Sequence, residues 1–501
     1  MGNYDVVVIG AGNGGLTAAA SLAQKGIKVL LVEKHNIPGG CATSFYRGRF
    51  EFEVALHQLS GLGTPEKPGP LRGILGNLGV VDELEWVEME NLYRVVIPNK
   101  LDITLPADKE KLIEVLEGEF PEEKVGINKY IDLLYGFFEQ VIQAFILKDP
   151  EVSKEKYPLY FDYAYKSTEK VLDECFTNPL IKLALSPYWS YMGVPTRHLA
   201  FVDYAALMYS YLEWKPFHIK GGSQALSNAL VKKILDNGGE VRFNCAAEEI
   251  VVEKGEVRAV RTSWGDYLPT NYVVSNVSSI MTYTELIEAE LVPEKQFDIL
   301  KGSTIGVSAV TMFIGLDCTA DKLGIRENTN FFYTTENPDE QDSTIRIVNA
   351  EKDPFILSCY NVSDPEASPA GTTQVAIVTL VYAQPWLEVP AHEYQATKFA
   401  CAEQLLARIE SHYPGFREHI EEIEVATPIT HMRYLGSPGG AFYGFDQYPK
   451  DSNMFIPPKS PIKGLYTAGA WAGAGGFQPS LTSGISAARA IIRNMKKQGV
   501  K

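Results

Sequence analysis

Two glycines and a thiol stand together in Pro38-Gly39-Gly40-Cys41-Ala42-Thr43, and sixteen residues past the thiol His57 closes the alternating run FEFEVALH. A cysteine so placed could be half of a redox pair spaced C-x4-C. The partner position holds Tyr46, so dithiol chemistry is excluded and Cys41 reads as a small residue where backbone must come close to a ligand. His57 could donate or accept a proton near neutral pH; its plainer reading is a hydrogen-bonded structural histidine. Arg47 and Arg49 could hold a carboxylate or sit solvated at the surface. Far along the chain, His431, Arg433 and Tyr443 could line the same site. The eight histidines and six cysteines show neither H-E-x-x-H nor C-x-x-C spacing, so no metal is expected. No G-x-S-x-G elbow offers a nucleophilic serine.

The elements that must position these groups are legible on both sides. DVVVIG is a short β-branched run of the kind that forms a buried parallel strand. It leads into Gly10-Ala11-Gly12-Asn13-Gly14-Gly15, then the helical pattern LTAAASLAQKG stopped by Gly26, then a second strand, KVLLVEK, ending in Glu33 and Lys34. Each piece has a mechanical reason. Gly10 permits the tight turn, Gly12 admits a pyrophosphate close to backbone, and Gly15 lets helix and strand pack. The helix start at Asn13 and Gly14 offers free N–H groups and a positive dipole end. Glu33 can accept from ribose hydroxyls, and its charge repels a 2′-phosphate. A glycine-rich turn alone is weak evidence, but strand, turn, helix, strand and acid fall in register here. A dinucleotide site is expected, for FAD or NAD rather than NADP.

The rest of the chain separates FAD from NAD. After Glu33 an NAD dehydrogenase would continue with another strand–helix unit, whereas this chain turns through the double glycine. At the other end, GLYTAGAWAGAGGFQPSLTSGISAARAII reads as strand, glycine-rich turn and helix, with Gln478-Pro479-Ser480 in the helix's first turn. A helix N-terminus aimed at an isoalloxazine ring would stabilise negative charge on reduced flavin. FAD is the expected cofactor.

Taken together, VVVIGAGNGGLTAAASLAQKG, VLLVEKHNIPGGCATSF and GLYTAGAWAGAGGFQPSLTSGISAARA resemble the phytoene desaturase, carotenoid isomerase and retinol saturase group, within the wider amine-oxidase-like flavoproteins. IKGGSQALSNALVKKILDNGGEVRFNCAAEEIVVEKGEV, SDPEASPAGTTQVAIVTL and TPITHMRYLGSPGGAFYG are similar to further pieces of that family, in family order. The resemblance implies that Gly10, Gly12, Gly15 and Glu33 hold the pyrophosphate and ribose of FAD. It also implies that Gly40, Cys41, Ala42 and Thr43 run along the flavin and ribityl chain, that Val251 meets adenine through its backbone, and that Gly469, Gln478, Pro479 and Ser480 lie beside the flavin ring. Where many members carry Phe-Asp-x-Gly after the double glycine, this chain has Phe52-Glu53-Val54-Ala55. The implied chemistry is redox or isomerisation at carbon–carbon double bonds of an apolar isoprenoid or polyene, with His57, His431 and Tyr443 as candidate catalytic groups. Amine oxidation is the alternative, as is prenyl-lipid carriage without catalysis on the related fold of Rab GDP-dissociation inhibitors.

At 501 residues the chain exceeds one core. The fold expected is α/β. A discontinuous Rossmann-type FAD domain takes in roughly 1–105, 218–285 and 425–501. A mixed substrate sheet spans 286–424, with strands at GVSAVTMFIGL, FILSCYN and TQVAIVTLVYA, and a helical lid spans 106–217. Between Tyr130 and Phe217 aromatic residues are about twice as dense as the 11% of the whole chain, which fits either plain core or an apolar tunnel. A net charge of −16 disfavours nucleic acid. Scattered cysteines suit a reducing compartment. The strand pattern starts too early for a leader, and no apolar run reaches about 18 residues. A cytoplasmic protein able to touch a membrane surface is the expectation. With no second dinucleotide fingerprint, electrons would pass to a partner, a quinone or transiently bound NAD(P)H.

Overall fold

The computed structural model describes residues 4–448, 459–473 and 475–499. Val6–Ile9, Val29–Val32 and Tyr272–Ser275 are buried along their whole length, as strands covered on both faces must be. They form the centre of a five-stranded parallel sheet, in the order Leu465–Thr467, Tyr272–Ser275, Val6–Ile9, Val29–Val32, Glu240–Arg242. Alternate side chains serve opposite layers. Val6, Val8 and Leu31 pack with Leu16, Leu226 and Leu481 of the helices Asn13–Ala23, Gly222–Asp236 and Phe477–Lys497. Val7, Ile9 and Leu30 pack with Ile250, Val257 and Leu268 of a three-stranded antiparallel sheet. One sheet thus draws on both ends and the middle of the chain.

The first and last of those helices touch through small residues. Thr17 Oγ1 donates to the Leu481 carbonyl at 2.9 Å. A methyl group at Gly484 would run into the Gly14 carbonyl and lie 2.9 Å from Ala18 N. This close crossing brings both helix N-termini to one place, at the carboxyl ends of the parallel strands, where ligands bind in open α/β sheets.

A second, seven-stranded mixed sheet runs in the order Ile420–Ala426, Ser308–Leu316, Thr373–Val381, Phe355–Cys359, Thr329–Phe332, Asn91–Ile97, Leu101–Pro106. The three strands expected in it are present. The expected extension of the FAD domain to residue 105 needs correction at its end. Asn91–Ile97 and Leu101–Pro106 belong to this second sheet, with Val95 paired in parallel to Phe331. Asn91–Ile97 lies inside this sheet, and its second partner, Thr329–Phe332, is more than two hundred residues away, beyond any local pattern.

Between Pro106 and Phe217 the chain forms the helices Lys109–Glu119, Lys124–Val141, Thr168–Cys175 and Phe201–Trp214, among shorter ones. Most of the aromatic surplus is core: Tyr130, Phe137, Phe176, Trp189 and Tyr204 are buried together. Among the described residues, no helix is long and apolar enough to cross a membrane.

Candidate active site

The glycine turn forms a cradle that side chains would fill. Gly10 sits at φ +93°, in the region L-residues avoid, and its N–H donates to the Val32 carbonyl at 2.8 Å. A Cβ at Gly12 would lie 2.8 Å from Asn276 Nδ2, and one at Gly14 would lie 2.5 Å from Gly469 N. Gly15 packs beneath the turn, where a Cβ would strike the Gly10 carbonyl; it does not line the cavity. Glu33 accepts from Ala11 N at 2.6 Å and from His35 N at 2.8 Å. One lone pair on each oxygen stays available for ribose hydroxyls.

Helices Asn13–Ala23 and Phe477–Lys497 both begin here without a side-chain cap or an acidic residue in the first turn. Each leaves N–H groups and dipole charge directed at the site, favourable to an anion by about 0.3–1 kcal/mol or more. The amide oxygens Asn13 Oδ1 and Asn276 Oδ1 are buried and have no partner among the described residues. Free N–H groups, unclaimed amide oxygens and a wall of glycines fit the pyrophosphate and ribose of FAD. Asn276 was not foreseen. It follows the strand Tyr272–Ser275, and only the sheet order puts it against the turn.

A continuous cavity of about 680 Å³ runs from this cradle into the interior. Lys34, Gly40, Cys41, Ala42, Thr43, Gly469, Gln478, Pro479 and Ser480 line it. Burial pushes the Cys41 thiol up to about 12, so it is a neutral wall group. Thr43 Oγ1 donates to Gln224 Oε1 at 2.6 Å, and Gln478 Oε1 accepts from Ser60 Oγ at 3.1 Å. Val251, like Gly15, does not line the cavity, whereas Ala246 and Ala247 do. The strand Ala247–Glu253 meets the site at its first residues, and four further residues carry the chain roughly 13 Å away.

The candidate catalytic side chains share this cavity but differ in kind. His57 lies between two phenol rings, with centroids 6.2 Å from Tyr191 and 6.3 Å from Tyr360. Its Nδ1 is 3.1 Å from the Tyr360 hydroxyl, and burial lowers its pKa to about 4. His431, on the helix Pro428–Leu435, packs edge-on against Phe442 at 4.7 Å. Its Nε2 has no partner among the described residues, and burial again lowers its pKa to about 4. Both imidazoles are therefore neutral at pH 7. Tyr443 contributes its ring to the wall, but its hydroxyl donates to the Ser190 carbonyl at 3.1 Å. As an acid or base it is thus engaged elsewhere. Arg47 and Arg49 pair with Glu424 and Glu421 at 3.0 and 2.6 Å, and Arg433 stacks on Tyr434.

The neutrality of His431 has a measurable cost in acid. The unfolded chain protonates this histidine near its ordinary value, about 6.5, while the folded chain resists until about 4. Its contribution is intact above the unfolded value and is lost as pH falls towards the folded one. Asp353 and Asp446, raised by burial to about 7 and about 6, act in the opposite direction, so the comparison must be with a variant. Relative to His431→Leu, the wild type should lose stability below pH 6.5 at up to about 1.4 kcal/mol per pH unit. Urea unfolding of both proteins across that range measures it, and parallel pH profiles would refute it.

Comparison with known proteins follows the same lines. The family described as flavin containing amine oxidoreductase matches residues 14–492. The chain is 26% identical over 538 residues to an all-trans-retinol 13,14-reductase of Danio rerio, covering 98% of this chain and 87% of that protein. It is 24% identical over 498 residues to a chloroplastic prolycopene isomerase of Daucus carota, covering 93% and 76%. Among solved structures, putrescine oxidase bound to putrescine superposes with a TM-score of 0.65 at 14% identity, over 99% of both chains. A Rab GDI from Plasmodium falciparum reaches 0.55 at 12% identity, over 99% of this chain and 98% of that one. The structural likenesses establish the fold alone, and the sequence match extends through both ends of the cradle. The chain belongs to the flavin-containing amine oxidoreductase family, and FAD is the cofactor its glycine turn and paired helix N-termini are built to hold.

Proposed function

We propose that this protein acts on carbon–carbon double bonds of an apolar isoprenoid or polyene, by saturation, desaturation or cis/trans isomerisation. The observation that carries the reading is the character of the cavity beyond the cradle. Its walls include Tyr191, Tyr211, Phe313, Val378 and Leu380, and both histidines are held neutral by burial. Bound FAD supplies hydride exchange. The chain's own residues exclude water, align an elongated substrate, and offer the His57 imidazole at the chamber wall. Relatives named for retinol reduction and prolycopene isomerisation, matched over most of the chain, support the same reading.

Amine oxidation is the second reading, favoured by the likeness to putrescine oxidase. Against it, the carboxylates that line the cavity among the described residues are Glu33, engaged by two N–H groups and facing the ribose position, and Glu424, paired with Arg47. Neither is free to receive an ammonium group. Non-catalytic lipid carriage would not require the intact FAD cradle found at both ends of the chain. Contact with a membrane surface, from which an apolar substrate could be drawn, finds support in the exposed side chains of Ile146, Leu147, Phe161 and Tyr165 on the helical region.

Anaerobic exposure of the flavin, in its oxidised and in its reduced form, to retinoids, cis-carotenoids and polyamines in turn tests the reading. Polyenes are expected to reoxidise the reduced flavin, to reduce the oxidised flavin or to isomerise with no net change in it, and amines to leave the oxidised flavin unreduced. His57→Ala should retain flavin and lose at least tenfold in polyene turnover. Amine turnover with inert polyenes would replace the proposal with the second reading.

A further inference from the structure

We infer that Tyr360 is a positioning residue: it donates its hydroxyl hydrogen to His57 Nδ1 and so fixes the imidazole as the tautomer whose N–H, on Nε2, is free for an occupant of the cavity. The functional meaning of this arrangement rests on the proposal that the chamber receives substrate; the arrangement itself does not.

Tyr360 follows the strand Phe355–Cys359 and is 1% exposed. Burial raises its phenol well above the usual value, so the oxygen keeps its hydrogen and must place it on an acceptor. An unpartnered buried hydroxyl would cost about 1–3 kcal/mol. Among the described residues, the partner the hydroxyl meets is His57 Nδ1, at 3.1 Å. If the imidazole donated instead, the phenol hydrogen would be left without an acceptor. Donation into Nδ1 leaves the ring's own proton on Nε2. Nε2 meets no protein partner among the described residues, and His57 lines the cavity.

Both ends of this contact are braced. The residue before Tyr360 is held in the sheet by pairing of Cys359 with Val375. The His218 ring lies 6.2 Å from that of Tyr360; His218 is 3% exposed, with Asp364 Oδ2 3.7 Å from its Nε2. On the histidine side, buried Glu53 accepts from Ser223 N and Oγ at 2.7 Å each and from Leu56 N at 3.0 Å. That network anchors the Val54-Ala55-Leu56 segment leading to His57. Supporting groups that lock an imidazole in one tautomer are a recurrent way to prepare it for a task.

The test is nitrogen NMR of the FAD-loaded protein labelled at histidine nitrogen, with His57 assigned as the signal lost in His57→Asn. The expected wild-type result is a single neutral tautomer protonated at Nε2. In Tyr360→Phe, which keeps the ring and its stacking, that single signature should give way to a mixture or to the Nδ1-protonated form. An Nδ1-protonated His57 in the wild type, or an unchanged pattern in Tyr360→Phe, would overturn the inference. If the variant does not fold, the wild-type spectrum still decides. The signal reports a proton's location and not turnover, so inert polyenes would count against the proposed function while leaving this result standing.

Discussion

Gly12→Val protein is expected to purify folded and colourless, having lost its FAD. Gly12 adopts ordinary extended angles, φ −75° and ψ 175°, so the obstacle is not torsional. It is space: a Cβ would lie 2.8 Å from Asn276 Nδ2, and the further methyls of valine would project into the cavity that Gly12 lines. The pyrophosphate would be held away from the N–H groups at the start of Asn13–Ala23. Losing two charge-assisted hydrogen bonds, at about 1.5–3 kcal/mol each, weakens binding by roughly a hundredfold or more. Visible flavin absorbance per polypeptide measures it, with circular dichroism to confirm the fold. Full occupancy in the variant would mean that the cofactor does not pass over this turn.

Gly484→Leu is expected to destabilise the protein by more than about 3 kcal/mol, and Gly484→Ala by about 2 kcal/mol. The alanine variant is the sharper test, because helix propensity alone favours alanine over glycine by about 1 kcal/mol. In an isolated helix the change would help. Here any Cβ meets the Gly14 carbonyl and the Thr17 hydroxyl, and the helices cannot separate without moving Thr17 Oγ1 from the Leu481 carbonyl. Separation would also misalign the two N-termini, so flavin content should fall along with the urea midpoint. A midpoint raised by alanine would show that the crossing is looser than the geometry requires.

Much of the cofactor site was legible because its requirements are local. Gly10, Gly12 and Gly15 stand at fixed offsets from a β-branched strand, and Glu33 ends the next one; backbone geometry alone demands that order. The same local logic excluded a redox pair at Cys41 once Tyr46 occupied the partner position. Expectations weakened where a residue's role depended on direction. Val251 belongs to the right strand but lies too far along it. Tyr443 is in the cavity wall, yet its hydroxyl is turned to Ser190.

The sequence by itself determined the class of cofactor, the strand–turn–helix unit that carries it, and the return of the C-terminal helix to the same site. Backbone conformation and the spacing of small residues encode those features, and both act over a few residues. Only the tertiary structure decided that Asn276 completes the cradle, that Gly484 sets the helix crossing, that Asn91–Ile97 pairs with Thr329–Phe332, and that Tyr360 meets His57. Each of these joins segments more than two hundred residues apart. Their contacts follow from how two sheets and a helical layer pack around one cavity, and no residue in either segment signals its partner beforehand.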